Sequence, residues 1–202
     1  MDEGRAVELL KGGNKEGLAF LVRQHYERAV HVSYLILRDS DQAEDIVQGA
    51  FIHAGEKISQ LTSDHFSPWF MRMVVNDSLK AAHKQQRQVS LDAPEDPETR
   101  LAEWLVDRRP LPEELAETAE LRQNVWQALA RLTADQRAAV VMKYYLEMSE
   151  AEITQALQAP RSTVKWRLYA AREKLRNLLR PLQAHTGQTT SKPAQHHREE
   201  EP

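Results

Sequence analysis

Ser149-Glu150-Ala151-Glu152-Ile153-Thr154-Gln155-Ala156-Leu157-Gln158-Ala159-Pro160-Arg161-Ser162-Thr163-Val164-Lys165-Trp166-Arg167-Leu168 is the stretch on which the fold turns. Ser149 and Glu152, three apart, form a capping box in which each side chain meets an amide that a helix start leaves unpaired. Ile153, Ala156 and Leu157 then share one face of a short helix. Gln158-Ala159-Pro160 makes a tight break, and a longer helix begins at Arg161. Its apolar residues Val164, Leu168, Ala171, Leu175 and Leu178 or Leu179 recur at helical spacing. Its other face carries Arg161, Lys165, Arg167, Arg172, Lys174, Arg176 and Arg180 against the single acid Glu173, with Ser162, Thr163, Trp166 and Tyr169 among them. A solvated surface helix intersperses both signs. Two helices, a short turn and one-sided charge together point to a helix-turn-helix whose second helix enters a DNA major groove.

Working outward, the helical block around this unit runs from about Leu121 to Leu182, and Thr133-Ala134-Asp135-Gln136 supplies another capping box inside it. Upstream, Pro94, Pro97, Pro110 and Pro112 stand among Glu95, Asp96, Glu98, Glu103, Asp107, Glu113, Glu114 and Glu117, which reads as an acidic linker over 91–120. Acid and proline keep such a segment extended and soluble. A first helical block spans about Glu16 to Gln88. Asp41 with Glu44 predicts a capping box for a helix reaching about Ile58, and Ser67-Pro68 predicts the cap of another. That last helix carries Trp69 and Phe70 inward as core, and ends in the basic tract Lys80, His83, Lys84 and Arg87. The predicted fold class is all-α: two small helical domains, 1–90 and 121–182, joined by the linker and followed by a disordered tail, 183–202.

Composition removes several alternatives. Cysteine is absent, which excludes disulfides, thiolate metal sites and thiol catalysis. No apolar run approaches the roughly 20 residues that span a bilayer, and Met1-Asp2-Glu3-Gly4-Arg5 lacks the pattern of a signal peptide, so a cytoplasmic protein is expected. No phosphate loop, serine elbow or paired metal-binding histidines occur, so neither an enzyme nor a cofactor or metal site is expected. The net charge of −3 hides an uneven distribution along the chain.

Leu129-Ala130-Arg131-Leu132-Thr133-Ala134-Asp135-Gln136-Arg137, Tyr144 through Ile153, and Thr163-Val164-Lys165-Trp166-Arg167-Leu168 resemble region four of the extracytoplasmic-function (ECF) sigma factors of bacterial RNA polymerase. Independently, Asp41-Gln42-Ala43-Glu44-Asp45-Ile46-Val47-Gln48 with Ala50-Phe51 resembles the core-binding helix of region two. Phe66, Pro68-Trp69-Phe70 and Val75-Asn76 resemble its promoter-melting segment. Gly49 and Gly55 depart from the family's usual glutamate and tryptophan, Gln158 replaces the turn glycine, and Trp166 replaces a small polar residue. A left-handed conformation at Gln158 would cost about 1 kcal/mol.

The resemblance implies a subunit that binds core polymerase, directs it to promoters and assists melting. For the minus-thirty-five element it implies Arg161, Ser162, Thr163, Lys165 and Arg167, with Trp166, Tyr169 and Arg172 beside them. For the minus-ten element it implies Ser63, Asp64, His65 and Phe66, with Arg72, Asn76, Lys80, Lys84 and Arg87 nearby. Asp45, Gln48, Phe51 and Ile52 would meet the beta-prime clamp helices; the beta flap, promoter DNA and an anti-sigma factor complete the implied partners. From the residues alone, a self-sufficient helix-turn-helix regulator remains the rival, separable by whether DNA recognition depends on polymerase.

Overall fold

A computed structural model describes residues 1–63, 65–88 and 123–186, the side chains of 88 and 181–186 excepted. Asp64, the linker at 91–120 and the tail beyond 186 lie outside the described residues, which are helical with no strand.

Helix α1, Glu3–Lys11, has no counterpart among the expected elements. Asp2 caps it by accepting from the Arg5 amide at 2.8 Å. It lies directly against α2, Lys15–Leu37. A Cβ on Gly17 would fall 2.3 Å from the Ala6 carbonyl oxygen and 2.9 Å from the Leu10 nitrogen, so glycine is what lets the two backbones touch. Arg38 ends α2 in a left-handed conformation at φ 67°, turning the chain at once. Extended Asp39 is therefore the residue placed to cap α3, Ser40–Lys57, and its carboxylate accepts from the Gln42 amide at 3.0 Å. The cap expected at Asp41 is thus displaced two residues.

After a 3-10 turn, Ile58–Gln60, helix α4 spans Phe66–Gln88. Ser67 does not cap it. Glu3 Oε1 accepts from the Phe66 amide at 2.9 Å and from the Ser67 amide at 3.3 Å, a cap delivered from 63 residues away. Leu21, Ile36, Val47, Phe70 and Val74 fill the interior between α2, α3 and α4. One polar pair is buried there: Ser78 Oγ lies 2.9 Å from Ser33 Oγ and 2.8 Å from the Val74 carbonyl, so its hydroxyl donates to the carbonyl and accepts from Ser33.

The second body begins with α5, whose described part is 123–130. Helix α6, Ala134–Val140, continues into a π turn, Val141–Tyr145, and is followed by α7, Glu150–Leu157, and α8, Arg161–Thr186. The capping boxes expected at Thr133–Gln136 and Ser149–Glu152 both form with both halves present. Helix α8 continues past Pro181 to Thr186, into the segment expected to be disordered; a proline removes one amide donor without forbidding a bent helix beyond it.

The two bodies pack on each other. Arg137, 8% exposed, donates from Nε to the Ile36 carbonyl at the end of α2 and from Nη1 to the Leu132 carbonyl, both at 2.8 Å. Burial, with Arg38 nearby, lowers its guanidinium pKa to about 10. Tyr34 stacks on Trp126 with centroids 4.6 Å apart, and Arg38 stands 5.7 Å from the same indole. His31 stacks on Tyr145 at 5.4 Å, with Arg28 5.9 Å from that ring.

Candidate nucleic-acid interface

The turn before α8 is set by Gln158, which takes φ 48° and ψ 37°. The left-handed geometry that the sequence left conditional is therefore present, held by the Ala159 amide donating to the Thr154 carbonyl at 3.3 Å. Pro160 stands immediately before α8, its carbonyl accepting from the Val164 amide. Val164, Leu168 and Ala171 are buried against the second body, as the helical spacing predicts. Farther along, the stripe outlasts its partner: Leu175 and Leu179 are half-exposed and Leu178 is exposed.

The opposite face of α8 is open. Arg161, Ser162, Lys165, Trp166, Tyr169 and Arg172 are exposed, and Thr163 is half-exposed at the edge. Trp166 and Tyr169 retain 64% and 59% of their accessible surface, which leaves two aromatic rings among cations that no element among the described residues covers. Arg167 departs from the expectation. Its Nη2 sits 2.9 Å from Asp135 Oδ1 with the side chain only 22% exposed, so it faces α6 rather than the open side. The other oxygen of Asp135 lies 3.3 Å from His83 Nε2 on α4, tying three helices at one carboxylate. Sequence spacing placed Arg167 among the groove-facing cations because periodicity does not say where a long side chain bends.

In the first body, Ser63 and His65 are exposed in the segment before α4. Phe66 is not: fully buried, it stacks on Phe70 at 5.1 Å and lies 5.5 Å from the His25 ring. It anchors that segment and is not placed to meet a base. Trp69 is half-buried and Phe70 wholly buried, in keeping with the core role expected. Lys80, Lys84 and Arg87, spaced four and three, form an exposed stripe on α4, while Arg72 and Asn76 are half-buried at its upper end. On α3, Asp45, Gln48 and Ile52 form an exposed stripe, with Ile52 61% exposed. Phe51 is turned away, 5% exposed and 4.3 Å from the Phe70 ring, so it is core rather than contact surface. Gly49 faces open space, where a Cβ would meet nothing within 4 Å.

Two families match the chain in this order: sigma-70 region 2 over residues 21–88 and sigma-70 region 4 over residues 122–175. The ECF RNA polymerase sigma factor SigW of Bacillus subtilis is 30% identical over 181 residues, covering 88% of this chain and 97% of that one. The chain belongs to the ECF sigma factors. It is an alternative RNA polymerase sigma factor, a transcription initiation factor. The ECF sigma-E factor of Escherichia coli K12 is likewise 30% identical, over 90% of this sigma factor and 95% of its own length. Two solved structures share the fold: CnrH in complex with the cytosolic domain of CnrY (TM-score 0.56, 19% identity, 89% and 97% coverage), and the sigma factor RpoE with the anti-sigma factor NepR from Bartonella quintana (TM-score 0.58, 21% identity, 80% and 96% coverage). Among the described residues no helix is long and apolar enough to cross a membrane, and no cluster of metal-ligating side chains occurs.

Sequence reasoning missed Glu3, Asp135 as a node, and Arg137. Each acts across 50 or more positions, and no local pattern marks such a contact.

Proposed function

We propose that this sigma factor works in the cytoplasm through three surfaces and performs no covalent chemistry of its own. The 121–182 domain lays α8 into the duplex of the minus-thirty-five element. Arg161 and Lys165 lie near its first turn to read bases, Ser162 and Thr163 offer hydroxyls, Trp166 supplies apolar contact to thymine methyls, and Tyr169 and Arg172 meet backbone. The 1–90 domain holds core polymerase at the beta-prime clamp helices through Asp45, Gln48 and Ile52, while the 121–182 domain also meets the beta flap. The segment with Ser63, Asp64 and His65 reads unstacked minus-ten bases, and Lys80, Lys84 and Arg87 collect phosphates. Unstacking costs a few kcal/mol per step, so the base-capturing segment has to be ready beforehand.

The observation that carries this is the open cationic and aromatic face of α8 behind a left-handed turn, in a chain that also presents the α3 stripe. The two promoter elements stand about 25 base pairs apart, roughly 85 Å at 3.4 Å each. A compact body of this size spans only about 40 Å. Reading both elements at once therefore requires the two bodies to part, with polymerase and DNA contacts replacing those of Arg137 and Trp126. An anti-sigma factor is a natural partner for such a chain, since one fold neighbour is a sigma factor in complex with an anti-sigma factor and another is CnrH with the cytosolic domain of CnrY.

Run-off transcription with sigma-free core polymerase on genomic fragments tests this. Discrete start sites should arise only when both are present. Site-specific binding of duplex DNA by the chain alone, without any start-site selection, would instead identify a self-sufficient regulator.

A further inference from the structure

The region 2 match begins at residue 21, after α1, yet α1 holds both ends of the segment assigned above to minus-ten reading. At the entrance, Lys11 Nζ donates to the Leu61 carbonyl at 2.7 Å. At the exit, Glu3 Oε1 accepts from the Phe66 and Ser67 amides at 2.9 and 3.3 Å. Glu3 and Lys11 are the first and last residues of α1, about 12 Å apart along its axis at 1.5 Å per residue. The helix is thus a rigid strut whose two charged ends are fastened to the two feet of one short segment.

Each fastening is backed by packing. Glu3 Oε2 lies 2.8 Å from Nε2 of buried His25, close but off the hydrogen-bonding axis, and the His25 ring lies against Phe66. Leu61 is 3% exposed and Phe66 is fully buried, whereas Thr62, Ser63 and His65 between them are exposed. Contact of the α1 and α2 backbones at Gly17 keeps the strut from sliding.

We propose that α1 is a two-point clamp, with Glu3 and Lys11 as positioning residues that hold the minus-ten segment in its base-capturing geometry before DNA arrives. The proposal rests on the assignment of that segment to minus-ten reading. A segment fixed at both ends loses little further entropy on capturing a base; freed at both ends, it samples the competent geometry for only a fraction of the time, and apparent affinity falls by that fraction.

The test uses reconstituted holoenzyme and a fluorescent single-stranded oligonucleotide carrying the minus-ten sequence recovered from the run-off experiment. Glu3→Ala with Lys11→Ala should weaken oligonucleotide binding about ten-fold, with affinity for core polymerase within two-fold of the parent. Glu3→Gln with Lys11→Arg, which keeps the acceptor and the donor, should recover most of that loss. Arg5→Ala, on the same helix in an exposed pair with Glu8, should change nothing. Oligonucleotide binding that survives the double alanine change within two-fold overturns the clamp. So does a parallel loss of core affinity, which would mark α1 as a general brace of the fold. If the parent holoenzyme ignores the oligonucleotide, the minus-ten assignment fails first and the clamp with it.

Discussion

Replacing Arg137 with methionine should loosen the packing of the two bodies. Burial, with the Arg38 charge, lowers its guanidinium pKa to about 10, which disfavours the charged form by about 3 kcal/mol. Against this stand two hydrogen bonds from a charged donor at 2.8 Å, each contributing about 1.5–3 kcal/mol. Methionine removes both bonds and the burial cost together, and leaves the Ile36 and Leu132 carbonyls without that donor. The net loss is up to about 3 kcal/mol. The Leu132 bond is internal to the second body, so about half, on the order of 1 kcal/mol, falls on docking, or roughly a five-fold drop in the docked-to-undocked ratio. The absence of native cysteine allows unique labelling at Glu56→Cys on α3 and Lys174→Cys on α8, both exposed. Single-molecule energy transfer should show one short-distance population in the parent and a second, longer one growing in Arg137→Met. An unchanged distance distribution, with only the urea midpoint lowered, would refute the view that Arg137 fastens one body to the other.

Acid should weaken the same interface. Burial lowers the His31 pKa below 6.5, so its docked, neutral form is favoured fully above that pH, and the advantage is lost as pH falls through the lowered value. In a His83→Gln background, which removes the histidine beside Asp135, the long-distance population should rise between about pH 7 and 5, and His31→Phe should flatten that rise. Gln158→Gly should raise the thermal midpoint, because relief of about 1 kcal/mol of left-handed strain exceeds glycine's larger unfolded-state entropy. A lower midpoint would show that the Gln158 side chain contributes more than its backbone costs. Arg161→Ala should weaken minus-thirty-five duplex binding by about 1–3 kcal/mol in fluorescence anisotropy, whereas Arg167→Ala should cost less than about 1 kcal/mol there and lower stability instead. Equal DNA losses would show that Arg167 leaves Asp135 on binding.

The amino-acid sequence by itself determined the helices after α1, the two second-body caps and the family, because helical periodicity and capping act within four residues. It located the α3 and α8 stripes correctly, since a stripe is a property of spacing. What spacing cannot state is which face of a helix another element covers. Phe51 and Phe66 occupy positions that resemblance assigns to partners, yet they are buried by α2 and α4, while Arg167 shares its helix with open cations and bends to Asp135. The cap of α4 by Glu3, the grip of Lys11 on Leu61 and the bridge from Arg137 to Ile36 join positions 63, 50 and 101 residues apart. Such contacts exist only once the core has brought the helices together, because closing loops of that length costs entropy that no local signal offsets.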